Sequence, residues 1–374
     1  MPDYVVDVHT HVYPPAYMAM LRARKTVPYI HDPADKGTPR LIILSSDDDP
    51  SIPIDKRGRP VDSSYSDINV KLKFMSQHGI DCSVISLANP WLDFLPESEA
   101  VEWASRINDN LEALCVSANQ EGEKKKLFAF ATLPLSSANP PRIADEIKAL
   151  PSLPHIRGVI MGTSGLGIGL DDPRLDEIWK ALEETQLVIF LHPHYGLPDE
   201  AFGGPEVTNR YGHVLPLALG FPLETTIAVT RMLLSGVFDR FPKLQVLLAH
   251  SGGTLPFLAG RIESCILHER KFTANGGTVP GPQRSVWDVL KTNIYLDAVV
   301  YGTAGLKAAV EAGGGSDRLM FGTDHPFFPP LSDDETEWPS VTTNYKAIAD
   351  SFDGDQVSAA AVLGGNAVRI LNLQ

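Results

Sequence analysis

Eight short apolar runs rich in β-branched residues recur along the 374-residue chain, and stretches of helical periodicity lie between them. They are Tyr4 to Val8, Cys82 to Leu87, Leu127 to Leu133, Ile156 to Met161, Leu187 to Leu191, Leu244 to Ala249, Ile294 to Asp297 and Arg318 to Gly322. Regular alternation of strand and helix argues for βα units around a parallel sheet. Eight strands is the number at which such a sheet closes on itself, so the expected fold is α/β, a (β/α)8 TIM barrel. Helical patterns at Glu97 to Ser117, Asp172 to Thr185, Glu224 to Phe238 and Thr254 to His268 occupy the intervals. Asp172-Pro173 supplies a helix start, with a capping carboxylate followed by a first-turn proline.

Three stretches interrupt the alternation, and each follows the C-terminal end of a strand. Residues 27–65 are rich in Pro, Asp and Ser around a strand-like run, Leu41 to Leu44. Residues 196–222 carry five Gly and four Pro, and residues 326–340 carry four Pro. Long loops at that end of a barrel build the mouth and lid of an active site, whereas those at the other end stay short. The expectation is a single barrel domain over 1–374 with loop insertions at the C-terminal face, at about 27–65 and 196–222.

The strand ends carry the chemistry. The first run leads into Asp7-Val8-His9-Thr10-His11, and period-two alternation puts His9 and His11 on one side. The fifth ends in His192-Pro193-His194, the sixth in His250-Ser251-Gly252-Gly253, and the eighth in Thr323-Asp324-His325-Pro326. A closed barrel delivers all of these to one rim. Imidazole nitrogens with one carboxylate oxygen suit a borderline divalent ion such as zinc, and an open coordination position makes such a site catalytic. Hydrogen-bonded or surface histidines are the bland alternative for any one of these motifs taken alone.

Composition removes other classes of function. With 43% hydrophobic and 21% charged residues the chain can bury a large core and is not a disordered or fibrous protein. Lys+Arg total 32 against 46 Asp+Glu, a net charge of −14, and no dense basic run offers a surface to nucleic acid or anionic lipid. Cys82, Cys115 and Cys265 are dispersed in apolar stretches, which reads as buried thiols in a reducing compartment. With no charged leader and no apolar run of about 18 residues, the expectation is a cytoplasmic protein that is not inserted in a membrane.

The HxH, HPH, AHSGG and GTDHP strings in this order resemble the amidohydrolase superfamily, in its branch of metal-dependent non-oxidative decarboxylases. The resemblance extends to Gly365-Asn366-Ala367-Val368-Arg369-Ile370-Leu371, so it covers nearly the whole chain. Longer strings are similar to those of fungal uracil-5-carboxylate (isoorotate) decarboxylases: VISLANPW at 84–91, GTSGLG at 162–167, FLHPHYGLP at 190–198, YGHVLPLALGFP at 211–222 and LLAHSGGTLPFLAGRIES at 247–264. The resemblance implies one zinc per chain held by His9, His11, His192 and Asp324, with His250 beside it and no organic cofactor. The fourth strand, Arg157 to Thr163, lacks the lysine that binuclear relatives use as a carbamate bridge. The HAxE-type motif of the mononuclear deaminases is also missing from the sequence.

Loss of CO2 from an sp2 ring carbon leaves a carbanion without an electron sink, and prior protonation of that carbon removes the difficulty. Asp324 is the first candidate to deliver the proton and His250 the second, as relay or orienting group. Burial and an anionic substrate raise a carboxyl pKa while zinc lowers it, and the sequence leaves the balance open. The resemblance adds Arg59, Asn89, Arg261 and Phe327 as substrate contacts. An arginine fork matches a carboxylate, an asparagine amide matches a uracil edge, and an aromatic ring stacks on a flat one. Plain alternatives stand beside each: a solvated loop arginine for Arg59, a turn residue before proline for Asn89, a surface charge for Arg261 and a hydrophobic plug for Phe327.

His194 shares the period-two face of His192, but Pro193 leaves its direction open, and His325 should point away from Asp324. His213, in the second insertion, fits a lid or an interface, and His31, His78, His155 and His268 read as surface or cap residues. The expected partner is a small carboxylated ring, without nucleic acid or membrane, in a homodimer or higher homo-oligomer formed through the loops around the mouth. Competing readings are a resorcylate-type decarboxylase, a mononuclear hydrolase of a lactone or cyclic amide, and a non-catalytic binding protein.

Overall fold

The structure, a computed structural model, describes residues 4–373 apart from 36, 123, 138, 274–280 and 333–334. Its centre is an eight-stranded parallel sheet of β1 (Val6–Val12), β2 (Cys82–Leu87), β3 (Leu127–Thr132), β4 (Ile156–Gly162), β5 (Val188–His192), β6 (Val246–Leu248), β7 (Ile294–Asp297) and β8 (Leu319–Met320). Strands adjacent in sequence are adjacent in the sheet. The ring closes where Val8 N donates to Phe321 O at 3.0 Å and His11 N to His325 O at 2.8 Å. Helices cover the outside, so both faces of the strands are dry and β2 and β3 are buried at every position. The TIM barrel expected from the alternation is the observed fold.

Boundaries differ where function intrudes. The first strand runs on to Val12, because its ladder with β2 continues to the Val12–Leu87 pair, and so it contains both histidines. That pairing shifts register between Asp7 and Thr10, an irregularity that re-aims side chains next to a site. The sixth and eighth strands are shorter than expected. His250 and Ser251 take left-handed φ values of 53° and 52°, and Asp324 one of 60°, which turns the chain out of the ladder beyond the strand ends. The expected helix Glu224 to Phe238 begins at Phe221 and ends at Leu234; Gly236, at φ 71°, takes the left-handed turn that separates it from Val237–Arg240.

Within residues 27–65 a small antiparallel sheet has Arg40–Ile42 at its centre, paired with Tyr29–His31 on one side and Arg59–Pro60 on the other. Within 196–222 lie the short helix Pro205–Tyr211 and a π-helical turn, Pro216–Gly220, that runs directly into the helix Phe221–Leu234. The helical stretch Pro216–Leu234 is long and apolar enough, by length and composition, to cross a membrane. It is partly buried in the fold and carries Glu224, whose carboxylate is hydrogen-bonded to the loop after β5. Cys82 and Cys115 are buried, but Cys265 is exposed, a correction to the expected burial: it sits on the outer side of the helix Leu255–Thr273.

Candidate metal centre

Four histidines meet at the C-terminal mouth of the barrel. The ring centroids of His9 and His11 are 5.1 Å apart, and His192 lies 5.3 Å from the first and 5.1 Å from the second. His250 packs 5.0 Å from His9 and 5.1 Å from His192. Single ligand atoms of His9, His11 and His192 fall within 4.8 Å of one another, as do those of His9, His250 and Asp324. Close approach of β1 and β8 is needed for this: a Cβ on Gly322 would stand 2.6 Å from His9 Cβ.

Each of the three strand-borne imidazoles has its Nδ1 engaged. His9 Nδ1 is 2.6 Å from Asp297 Oδ2, and His192 Nδ1 is 2.8 Å from the Pro193 carbonyl, an acceptor that requires an N–H there. His11 Nδ1 lies 3.0 Å from Ser86 Oγ, whose own proton goes to the Thr10 carbonyl, so the imidazole donates. These partners leave the Nε2 lone pairs available. His9 Nε2 and His11 Nε2 are buried and make no hydrogen bond. Asp324 Oδ1 is 3.3 Å from His9 Nε2 and 3.7 Å from His11 Nε2, without hydrogen-bond alignment, and Oδ2 is 3.9 Å from His250 Nε2. Buried imidazole nitrogens without partners, facing a buried carboxylate, fit a divalent cation.

Electrostatics agree with that chemistry. Burial, followed by the neighbouring imidazoles, holds His11 and His192 well below the usual histidine range, so both are neutral donors. Burial alone would also lower His9, but the charges of Asp324 and Asp297 reverse this and push it up to about 10. In the metal-free site, therefore, a proton on His9 partly offsets the two carboxylates. Burial pushes the Asp324 carboxyl up, yet His9 and His250 outweigh it and hold it well below the usual carboxylate range. Without an ion or a substrate beside it, the group rests ionised.

Several members of the site escaped sequence reading. Asp297, at the end of β7, accepts from His250 N at 3.0 Å and from Ser251 N at 2.8 Å besides holding His9. It thereby orients two strand ends at once; a carboxylate closing an apolar run was the available signal. The Tyr301 hydroxyl donates to Asp324 Oδ2 at 3.4 Å, and burial with the nearby carboxylate charges keeps this phenol protonated. Glu224 receives the backbone N–H groups of His194 at 2.9 Å and Gly196 at 2.6 Å and also the Thr163 hydroxyl, which ties the loop after β5 to the helix Phe221–Leu234.

The expected substrate contacts are placed unequally. The Phe327 ring stands 5.7 Å from His11 and 5.7 Å from Tyr65, on the rim of the site. Burial raises the Tyr65 and Tyr13 phenols, and the charge of Arg59 nearby offsets part of that rise in both, which puts the antiparallel excursion beside that rim. Asn89 donates its amide to the His194 carbonyl, and its own carbonyl accepts from the Tyr13 hydroxyl at 2.5 Å. Arg261 is exposed on the helix Leu255–Thr273, and among the described residues nothing brings its guanidinium to the histidines. Of the other histidines, His194 pairs with Asp93 at 2.5 Å, His325 turns away from the site, and His213 is exposed. His155 is buried against Glu112 at 2.6 Å rather than lying on the surface.

Residues 6–373 match the family profile described as Amidohydrolase. Among solved structures, the chain is similar to the IDCase (isoorotate decarboxylase) of Metarhizium anisopliae in apo form, with 50% identity and a TM-score of 0.90 over 99% of this chain and 97% of that one. It is also similar to the gamma-resorcylate decarboxylase of Rhizobium radiobacter, 28% identical over 74% of this chain and 81% of that protein. A 5-carboxyvanillate decarboxylase from Novosphingobium aromaticivorans, crystallised with manganese and a nitrobenzoic acid, shares the fold at 18% identity and a TM-score of 0.74 over 99% and 96% of the two chains.

Proposed function

The chain belongs to the amidohydrolase family, and on that premise we propose that it is a metal-dependent, non-oxidative carboxy-lyase converting uracil-5-carboxylate (isoorotate) to uracil and CO2. What carries this reading is the 50% identity, over 99% of the chain, to a decarboxylase of that acid. Pyrimidine (thymine) salvage in the cytoplasm is the setting we assign to it. His9, His11, His192 and Asp324 would hold one zinc ion, which when bound supplies Lewis acidity toward the C4 and carboxylate oxygens and stabilises negative charge on the ring.

The proton is Asp324's part. Asp324 rests ionised in the ion-free site; the substrate's carboxylate, arriving beside it, would raise its proton affinity against the lowering by a bound zinc, so that it takes up a proton from solvent as substrate binds. Asp324 passes that proton to C5, which becomes tetrahedral. The C5–carboxylate bond then breaks, CO2 departs, and the bonding pair returns to the ring to restore the C5–C6 double bond. His250, 3.9 Å from Asp324, and Tyr301 orient the acid between cycles. Arg59 and Asn89 would bind the polar edges of the ring and Phe327 its face.

A second reading, a hydroxybenzoate decarboxylase, is favoured by the 28% identity to gamma-resorcylate decarboxylase. Competition between uracil-5-carboxylate and 2,6-dihydroxybenzoate separates the two. We expect kcat/KM to favour the pyrimidine by at least about 100-fold, the scale of a ring's buried polar contacts being met or left unpaired. Preference for the benzoate would overturn the pyrimidine assignment. Exposed Tyr211, Val214 and Leu219 at the second insertion support a homodimer through that segment. Sedimentation equilibrium at a single chain mass would overturn that assembly.

A further inference from the structure

Lys71, in the helix Ile68–Gln77, is 1% exposed, which is unusual for an ammonium group. Its Nζ donates to Thr10 Oγ1 and lies 2.5 Å from His325 Nδ1. Thr10 Oγ1 passes its own proton to the His325 carbonyl at 3.1 Å, and that carbonyl also accepts from His11 N at 2.8 Å. The His325 ring is clasped by Phe74 at 3.9 Å and Trp338 at 4.5 Å, so it has little freedom to move. On the same side the Asp7 carboxylate accepts from Thr323 Oγ1 at 2.7 Å, Thr323 N at 3.1 Å and His9 N at 3.2 Å.

Both groups that the ammonium ties together are sequence neighbours of proposed ligands. Thr10 lies between His9 and His11, and His325 follows Asp324. A methionine would fill the same space without the several kcal/mol that burying an ammonium costs. The donor geometry is therefore what lysine adds here. We propose that Lys71 is a positioning residue of the metal centre, pinning the strand that carries His9 and His11 to the loop that carries Asp324. It touches neither substrate nor ion; it sets the spacing of the ligand atoms from behind. The inference rests on the proposed metal site.

The test is chelator-competition titration of metal-stripped protein with Zn2+, at a temperature where circular dichroism shows every variant folded. Lys71→Met is expected to weaken binding about 10- to 100-fold, the range for groups that orient metal ligands. Thr10→Val removes the shared hydroxyl with little change in volume and should weaken binding in the same direction. The double variant should fall short of the product of the single effects, because both changes open one network. A merely structural lysine would lower the melting temperature and leave the affinity of the folded protein unchanged, and that result would overturn the proposal. Should Lys71→Met fail to fold, Thr10→Val decides by the same criterion. Wild type that takes up no ion would instead overturn the metal site itself, which keeps the two failures distinct.

Discussion

His9 is the residue on which most of the site's electrostatics converge. It sits between Asp297 and Asp324, and in the metal-free protein its pKa is pushed up to about 10. A proton held more tightly in the folded chain than in the unfolded one stabilises the fold fully below the unfolded value, near 6.5, and that contribution is lost as pH rises through about 10. Lys71, pushed down to about 7 by burial, works in the opposite direction over the same window, so total stability would mix the two. The difference between wild type and His9→Gln isolates the histidine. In denaturant titrations of metal-free protein, that difference should shrink steadily from about pH 7 to about pH 10. A pH-independent difference would mean that His9 is not held as an imidazolium.

At this scale the HxH pair, His192, His250 and Asp324 were legible because each closes an apolar run at a strand end. Asp297 closes one too, but a single acid without a repeated pattern carries no spacing to read. Ser86 and Lys71 gave less still, since their importance arises only when β1 closes against β2 and β8.

Elements decide how those residues are presented. The loop after β5 is fastened by Glu224, which reaches it from the helix Phe221–Leu234 through hydrogen bonds to His194 N, Gly196 N and the Thr163 hydroxyl. Hydrogen bonds to a charged group contribute about 1.5–3 kcal/mol each, and the three share one carboxylate. Glu224→Ala should therefore destabilise the protein by roughly 3 kcal/mol in urea or guanidinium titrations. A change within about 0.5 kcal/mol, the range of ordinary surface substitutions, would show that the loop is held by something else. The alternation of apolar and helical runs made the strand order legible, but not the strand ends. Where His250, Ser251 and Asp324 adopt left-handed backbone, tertiary contacts override the extended preference of the sequence. Composition likewise marked residues 27–65 as an irregular stretch without revealing that Arg59 pairs across to Leu41.

For the molecule as a whole, closure of the barrel is what turns motifs scattered from residue 9 to residue 324 into one site. Parallel strand direction fixes this arrangement, because eight parallel strands closed into a barrel put all their C-terminal ends on one rim. The central claim, that this rim protonates and decarboxylates a pyrimidine acid, predicts where one hydrogen goes. Metal-quantified protein turning over uracil-5-carboxylate in deuterated water, followed by NMR, should give uracil carrying deuterium at C5, and Asp324→Asn should reduce the rate by about 100-fold or more. Failure of the metal-loaded protein to release uracil, or Asp324→Asn releasing it at an undiminished rate, would contradict the account.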